Sequence, residues 1–286
     1  MEDLAEFIAA GINCEEQLIT VNEQVKLRVI TFEPLMDTNN PAIIFISGWI
    51  SRISAWKDVL IEMSRDFQTY YVETREKNSS VIDGEVRFRV EDFALDIAAI
   101  VDALDLRDGT FILCGSSLGA TSIIESCRFL KQKPLCLVLI GVNAVFYAPI
   151  IWKITIFLFP PRFYLIIKPV IKWYLRNFRL DVYNDQAQYE KYCGNLNAAN
   201  PWKLKKAALE FIRYQIWSKL PGIQIPSLIV SASKDELHDH ENIHKISSLL
   251  PGSKIIDLEL NSISHSPAVV EEIRKYIGEL LNQNNE

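Results

Sequence analysis

The sequence predicts an α/β protein, with a mostly parallel central sheet flanked by helices and a helical insertion late in the chain. Three observations carry this. Short apolar runs of strand length alternate with longer segments whose apolar residues recur at helical spacing. Glycines close two of the apolar runs, at Gly48 and Gly115, and open α/β sheets place their sites at the carboxyl ends of strands. Between Asn143 and Pro221 the alternation stops, then resumes.

Taken in order, strands are expected near 18–22, 25–32, 42–47 and 68–73. A helix near 53–66 separates the last two. A second helix is expected over 91–105, where Phe93, Ile97, Ile100, Val101 and Leu104 form one apolar face for packing on the sheet. The run Phe111 to Cys114 reads as a buried strand within 110–114, followed by a helix near 118–131 and a strand near 135–140. After the insertion come a strand near 226–232, a helix near 239–250, the alternating run of a strand near 254–260, and a helix near 268–282. The alternating segments form a core of 1–143 with 222–286, and the insertion is 144–221.

Composition narrows the function classes. A chain of 286 residues with 49% hydrophobic and 23% charged residues buries a large core. The net charge of −6, with no recognised nucleic-acid module, argues against nucleic acid as a partner. Cys14, Cys114, Cys127, Cys136 and Cys193 are odd in number and lack metal-ligand spacing, so reduced thiols and a cytoplasmic setting are expected. The acidic start, Met1-Glu-Asp-Leu-Ala-Glu, lacks the features of a signal peptide. The uncharged run Pro134–Trp152 approaches spanning length, but it contains Gly141, Asn143 and Pro149, and its first half is needed as a strand.

The most informative stretch is Gly115-Ser116-Ser117-Leu118-Gly119. A G-x-S-x-G turn between a strand and a helix forces its serine into strained backbone and lifts the hydroxyl above the sheet. The helix N-terminus then directs free N–H groups at whatever the serine attacks. Ser117 is therefore the expected nucleophile. Among four histidines, His265 stands apart, in a loop after the last expected strand, and is the expected base. The acid that orients it is expected between them in sequence. Asp235, just past the strand near 226–232, fits best, with Glu236 and Asp239 as substitutes. His238, His240 and His244 crowd among carboxylates but suit the exposed face of a helix, and no metal is expected. The polar segment Val72–Ser80 reads as a solvated loop, with Arg75 or Lys77 facing an acidic substrate group as the alternative.

Elbow, acid loop and histidine loop, in that order over nearly the whole length, resemble the α/β-hydrolase superfamily. The strand ending Phe45-Ile-Ser-Gly-Trp49 lies where that family carries its His-Gly-x turn. The resemblance implies an oxyanion hole made by the backbone N–H groups of Trp49 and Leu118. The chain departs from the pattern at Ser47, where the family has histidine. The resemblance also implies that 144–221 is a helical cap over the active site. Twelve Lys/Arg against four Asp/Glu give this segment a balance of +8, leaving −14 for the remainder. It carries many aromatics, among them Phe146, Tyr147 and Trp152, and Lys168, Lys172, Arg176 and Arg179 recur at helical spacing. An apolar acyl substrate and peripheral contact with an anionic membrane are the expectations for such a segment; the alternative is a helix whose charged face is merely wet.

The expected function is a serine hydrolase that cleaves a carboxylic ester or thioester through an acyl-enzyme on Ser117, without a cofactor. The same residues would serve carbon–carbon bond hydrolysis, acyl transfer or lyase chemistry, and a binding protein without turnover stays open.

Overall fold

The computed structural model describes residues 4–36, 39–146, 149–180, 182–183, 185–234 and 240–283. After a short helix α1 (Ala5–Ala9), the chain forms β1 (Cys14–Asn22), β2 (Val25–Phe32), β3 (Ala42–Ile46), α2 (Lys57–Met63) and β4 (Thr69–Val72). The two-residue β5 (Val81–Ile82), α3 (Val90–Ala103), β6 (Phe111–Ser116), α4 (Leu118–Ser126) and β7 (Cys136–Ile140) follow. Four helices come next: α5 (Ile150–Leu158), α6 (Phe163–Phe178), α7 (Gln186–Ala198) and α8 (Pro201–Phe211). The chain closes with β8 (Ser227–Ser231), α9 (His240–Leu249), β9 (Ser253–Asp257), α10 (Asn261–Ser264) and α11 (Pro267–Gln283).

The sheet runs β1-β2-β4-β3-β6-β7-β8-β9, with β5 beside β2. From β4 to β9 every pairing is parallel, and the antiparallel pairs lie at the β1–β2 end. The central strands are uninterrupted apolar runs because both faces of the sheet are covered. Alternation along each strand supplies two cores. Ile44, Ile46, Leu113, Leu137 and Leu139 pack under α3, α4 and α9, while Ile43, Phe45, Ile112, Val138 and Ile140 pack under α2 and α11. Helix α3 begins with a box in which the Arg89 N–H donates to Asp92 Oδ2 at 2.9 Å, and its expected apolar face, Phe93, Ile97, Ile100 and Val101, is buried.

Several boundaries differ from the sequence expectation. The helix after the elbow ends at Ser126 rather than near 131, and β1 starts at Cys14 rather than near 18. The last strand stops at Asp257; the apolar pattern beyond it belongs to a turn, with Glu259 at φ +59°, and to α10. The segment 73–80 is not a solvated loop. Glu73 to Lys77 are buried, and Arg75 donates to both oxygens of buried Asp96 at 2.7 and 2.6 Å and to the carbonyls of Arg87 and Asp92. Among the described residues no helix is long and apolar enough to cross a membrane.

Candidate active site

The elbow forms where β6 hands over to α4. Ser117 adopts φ +50°, ψ −112°, backbone that a residue with a Cβ rarely adopts. Its own groups hold it there: Ser117 N–H donates to the Ile140 carbonyl at 2.8 Å, and its carbonyl accepts from the Thr121 N–H at 3.0 Å. The two motif glycines are steric requirements. A Cβ at Gly119 would lie 2.1 Å from the Ile46 oxygen, and one at Gly115 would lie 2.8 Å from the Gly119 carbonyl carbon. Helix α4 thus starts in direct contact with the end of β3, which brings the loop after β3 against Ser117. A Cβ at Gly48 would lie 3.3 Å from the Ser116 oxygen and 3.5 Å from Ser117 Cβ.

That loop, carrying Trp49, is also held in unusual backbone, since Ile50 has φ +52°. A β-branched residue in this region needs external restraint. The segment 73–80 supplies it. Glu76 Oε1 accepts the Ile50 N–H at 3.2 Å, and Lys77 Nζ donates to the Gly48 carbonyl at 2.5 Å. Lys77 also pairs with Glu76 at 3.2 Å. Arg75 and Lys77 are therefore buried structural residues behind the loop after β3, and neither lines the cavity. Ser47 occupies the expected place at the end of β3; it is buried, and its hydroxyl donates to the Val72 carbonyl at 3.4 Å. Trp49 packs its ring edge-on to Phe211, 5.5 Å between centroids, and its buried Nε1 has no acceptor among the described residues.

His265 caps α10, with its ring stacked on Trp56 at 4.0 Å between centroids. Its Nδ1 lies 2.9 Å from the Asn261 carbonyl. A carbonyl only accepts, so Nδ1–H donates in this contact, and in the neutral ring Nε2 is then the nitrogen that carries the lone pair. Ser117 and His265 line the same cavity. The expected acid, Asp235, and its substitutes Glu236 and Asp239 lie outside the described residues, as do Tyr147 and the side chain of Trp152. Leu118 is buried at the first turn of α4, and Phe146 lines the cavity.

One site residue escaped the sequence analysis. Asn143 Nδ2 donates to Ser117 Oγ at 2.8 Å. Its backbone is fixed in turn, because the Thr121 hydroxyl donates to the Asn143 carbonyl at 2.8 Å. With one acceptor lone pair of Oγ occupied, the hydroxyl proton is free to point elsewhere. The available signal was positional: Gly141-Val-Asn143 follows the carboxyl end of β7, the strand beside the elbow.

The cavity has a volume of about 580 Å³ and is lined mainly by apolar side chains. Ile156, Phe159, Phe163, Ile167, Ile171 and Leu175 of the insertion line it together with Ser117. Polar walls come from Lys191, whose Nζ donates to Asn261 Oδ1 at 2.6 Å, and from Asn195, which accepts the Arg52 N–H at 3.2 Å.

A parallel sheet with an antiparallel end, an elbow after β6 and a histidine after β9 define the α/β-hydrolase fold, and this chain has it. No family model and no curated protein matches the sequence. Solved structures do match. A hydrolase from Pseudomonas aeruginosa superposes with TM-score 0.73 at 16% identity, covering 94% of this chain and 97% of that one. A thermophilic esterase from Thermogutta terrifontis gives TM-score 0.73 at 17% identity, covering 93% and 99%. An enol-lactonase from Burkholderia xenovorans gives 0.71 at 15%, covering 94% and 100%. Identity this low shows the shared fold.

Proposed function

We propose that the chain is a serine hydrolase that cleaves a carboxylic ester or thioester with an apolar acyl group. The observation that carries the reading is Ser117, held at positive φ on the floor of an apolar cavity that His265 also lines. Ser117 Oγ attacks the acyl carbonyl while His265 Nε2 takes its proton. The N–H groups of Trp49 and Leu118 receive the oxyanion, worth several kcal/mol of barrier when both are in place. His265 then protonates the leaving group, and water resolves the acyl-enzyme. Asp235 is the proposed orienting carboxylate.

The segment 144–221 acts as the cap in this reading. Its helices line the cavity together with Ser117, and the apolar lining suits an acyl chain rather than a charged one. Hydrolases, an esterase and an enol-lactonase among the similar folds favour carbonyl chemistry over other uses of the scaffold. The test is a fluorophosphonate probe with the adduct located by mass spectrometry. Labelling at Ser117 that is lost in Ser117→Ala and His265→Ala supports the reading. A folded protein that stays unlabelled, with and without lipid, overturns it in favour of a binding protein. An ester and thioester chain-length series then defines the acyl group.

A further inference from the structure

Helix α6 is apolar on two opposite faces. Tyr164, Ile167, Ile171 and Leu175 recur at helical spacing and line the cavity. Leu165, Ile166, Val170 and Trp173 form a second stripe on the outside, with Ile166 70% and Trp173 58% exposed. Helix α5, just before it in the chain, also exposes apolar side chains, Ile150, Ile154 and Phe157, the last 68% exposed. A helix apolar all round is one that buries both faces, and here only the inner face is covered, Tyr164 buried and Ile167, Ile171 and Leu175 partly so, while the outer one is exposed. Apolar patches of this extent mark an interaction site. The surrounding charge selects the partner. From Ile150 to Leu180 there are six basic residues, Lys153, Arg162, Lys168, Lys172, Arg176 and Arg179, and no acidic one, on a chain that is −6 overall. An apolar stripe flanked by one sign of charge matches the acyl–headgroup boundary of an anionic bilayer, where the apolar side chains enter the acyl region and the cations stay with the headgroups.

We propose that α5 and α6 dock this protein on the surface of an anionic lipid bilayer. The probe is vesicles of phosphatidylcholine with 30% phosphatidylserine, compared with pure phosphatidylcholine, by sedimentation at about 0.05 and 0.5 M salt. Binding is expected to the anionic vesicles and to weaken at high salt. Each basic residue near the surface is worth about fivefold in partitioning, so Lys153→Gln/Lys168→Gln/Arg176→Gln is expected to lose about a hundredfold. Ile166→Asp/Trp173→Asp is expected to abolish binding with the melting temperature unchanged, since both side chains face solvent. Brominated lipid is expected to quench wild-type fluorescence and to quench Trp173→Phe less, a readout that does not depend on the charged variants folding. Ser117→Ala is expected to bind like wild type. Failure to bind anionic vesicles at low salt overturns the proposal, as does binding that ignores both sets of substitutions. A dimer broken by Ile166→Asp/Trp173→Asp, without vesicle binding, would assign the face to a second copy instead.

A separate observation concerns the loop after β3. Lys77, buried, donates to the Gly48 carbonyl at 2.5 Å. That carbonyl and the Trp49 N–H belong to one planar trans peptide and point in opposite directions, so fixing one fixes the other. Resting on the hydrolase reading, in which Trp49 is an oxyanion donor, we infer that Lys77 is a positioning residue that aims this N–H. It stands in for the structuring histidine that the chain lacks at Ser47. On p-nitrophenyl butyrate, Lys77→Met is expected to lower kcat ten- to a hundredfold with KM within about threefold, because the donor acts in the transition state. Lys77→Gln, which keeps a donor, is expected to fall between, and decides the matter if Lys77→Met does not fold. Unchanged kcat in folded variants, or a loss confined to KM, overturns the inference while Ser117→Ala remains inactive. An active Ser117→Ala overturns the hydrolase reading itself, and this inference with it.

Discussion

Replacing Ser117 by glycine is expected to give a protein more stable than Ser117→Ala, with fluorophosphonate labelling lost in both. At φ +50°, ψ −112°, the backbone of Ser117 is the mirror image of an extended conformation, closed to a Cβ and open to glycine. Such backbone costs about 1–3 kcal/mol in a non-glycine residue. Glycine relieves that cost but loses about 0.5–1 kcal/mol through the greater freedom of the unfolded chain. Alanine is the proper reference. Both variants delete the hydroxyl and its 2.8 Å bond from Asn143, so that loss cancels, and alanine keeps the strain. Ser117→Gly is therefore expected to be more stable than Ser117→Ala by about 1 kcal/mol, or about 2 °C in melting temperature for a chain of this size. Urea unfolding of both variants, with m-values compared, measures the difference. A Ser117→Gly protein no more stable than Ser117→Ala would refute the claim that the nucleophile is held in strained backbone.

Three further outcomes follow from the geometry. Gly119→Ala places a Cβ 2.1 Å from the Ile46 oxygen, backbone against backbone, and is expected to cost about 3 kcal/mol or more and to slow fluorophosphonate labelling; Gly278→Ala, with nothing within 4 Å, is expected to gain about 0.5–1 kcal/mol. Asn143→Ala removes the donor on Ser117 Oγ and is expected to slow labelling about fivefold, the kinetic equivalent of about 1 kcal/mol. Lys203 Nζ, which holds the carbonyls of Lys77 and Ser80, is pushed by burial from 10.5 to about 8, against a smaller upward pull from Glu76. Between those values the folded state binds fewer protons than the unfolded one, so this group makes stability rise with pH. The wild-type melting temperature minus that of Lys203→Met is therefore expected to increase from pH 8 to pH 10; a flat difference would refute it.

Much of the molecule was legible because its signals are local. A strand buried on both faces must be an apolar run, and a helix on that sheet must repeat its apolar residues at 3.6, so β3, β6, β7, β8 and α3 could be read directly. The elbow was legible because its strand–turn–helix pattern is local, as is the contact that requires Gly115, against Gly119 and Ala120, whereas Gly119 answers to Ile46 from distant β3. The lone His265 was legible by elimination. Element ends were less so, since the apolar pattern past Asp257 fits a strand as well as the turn and short helix that form there.

The sequence by itself determined the alternating architecture and the strand–turn–helix around Ser117, because each is specified by residues close together in the chain. Only the tertiary structure decided what surrounds them. Asn143 reaches Ser117 because β7 pairs with β6, 26 positions away in sequence. Residues 73–77 look solvated from their charges, yet they are buried because Asp96, Gly48 and Ile50 arrive from other elements to satisfy them. A polar side chain goes inside only where partners meet it, and which partners do so is fixed by the packing of distant segments rather than by neighbours along the chain.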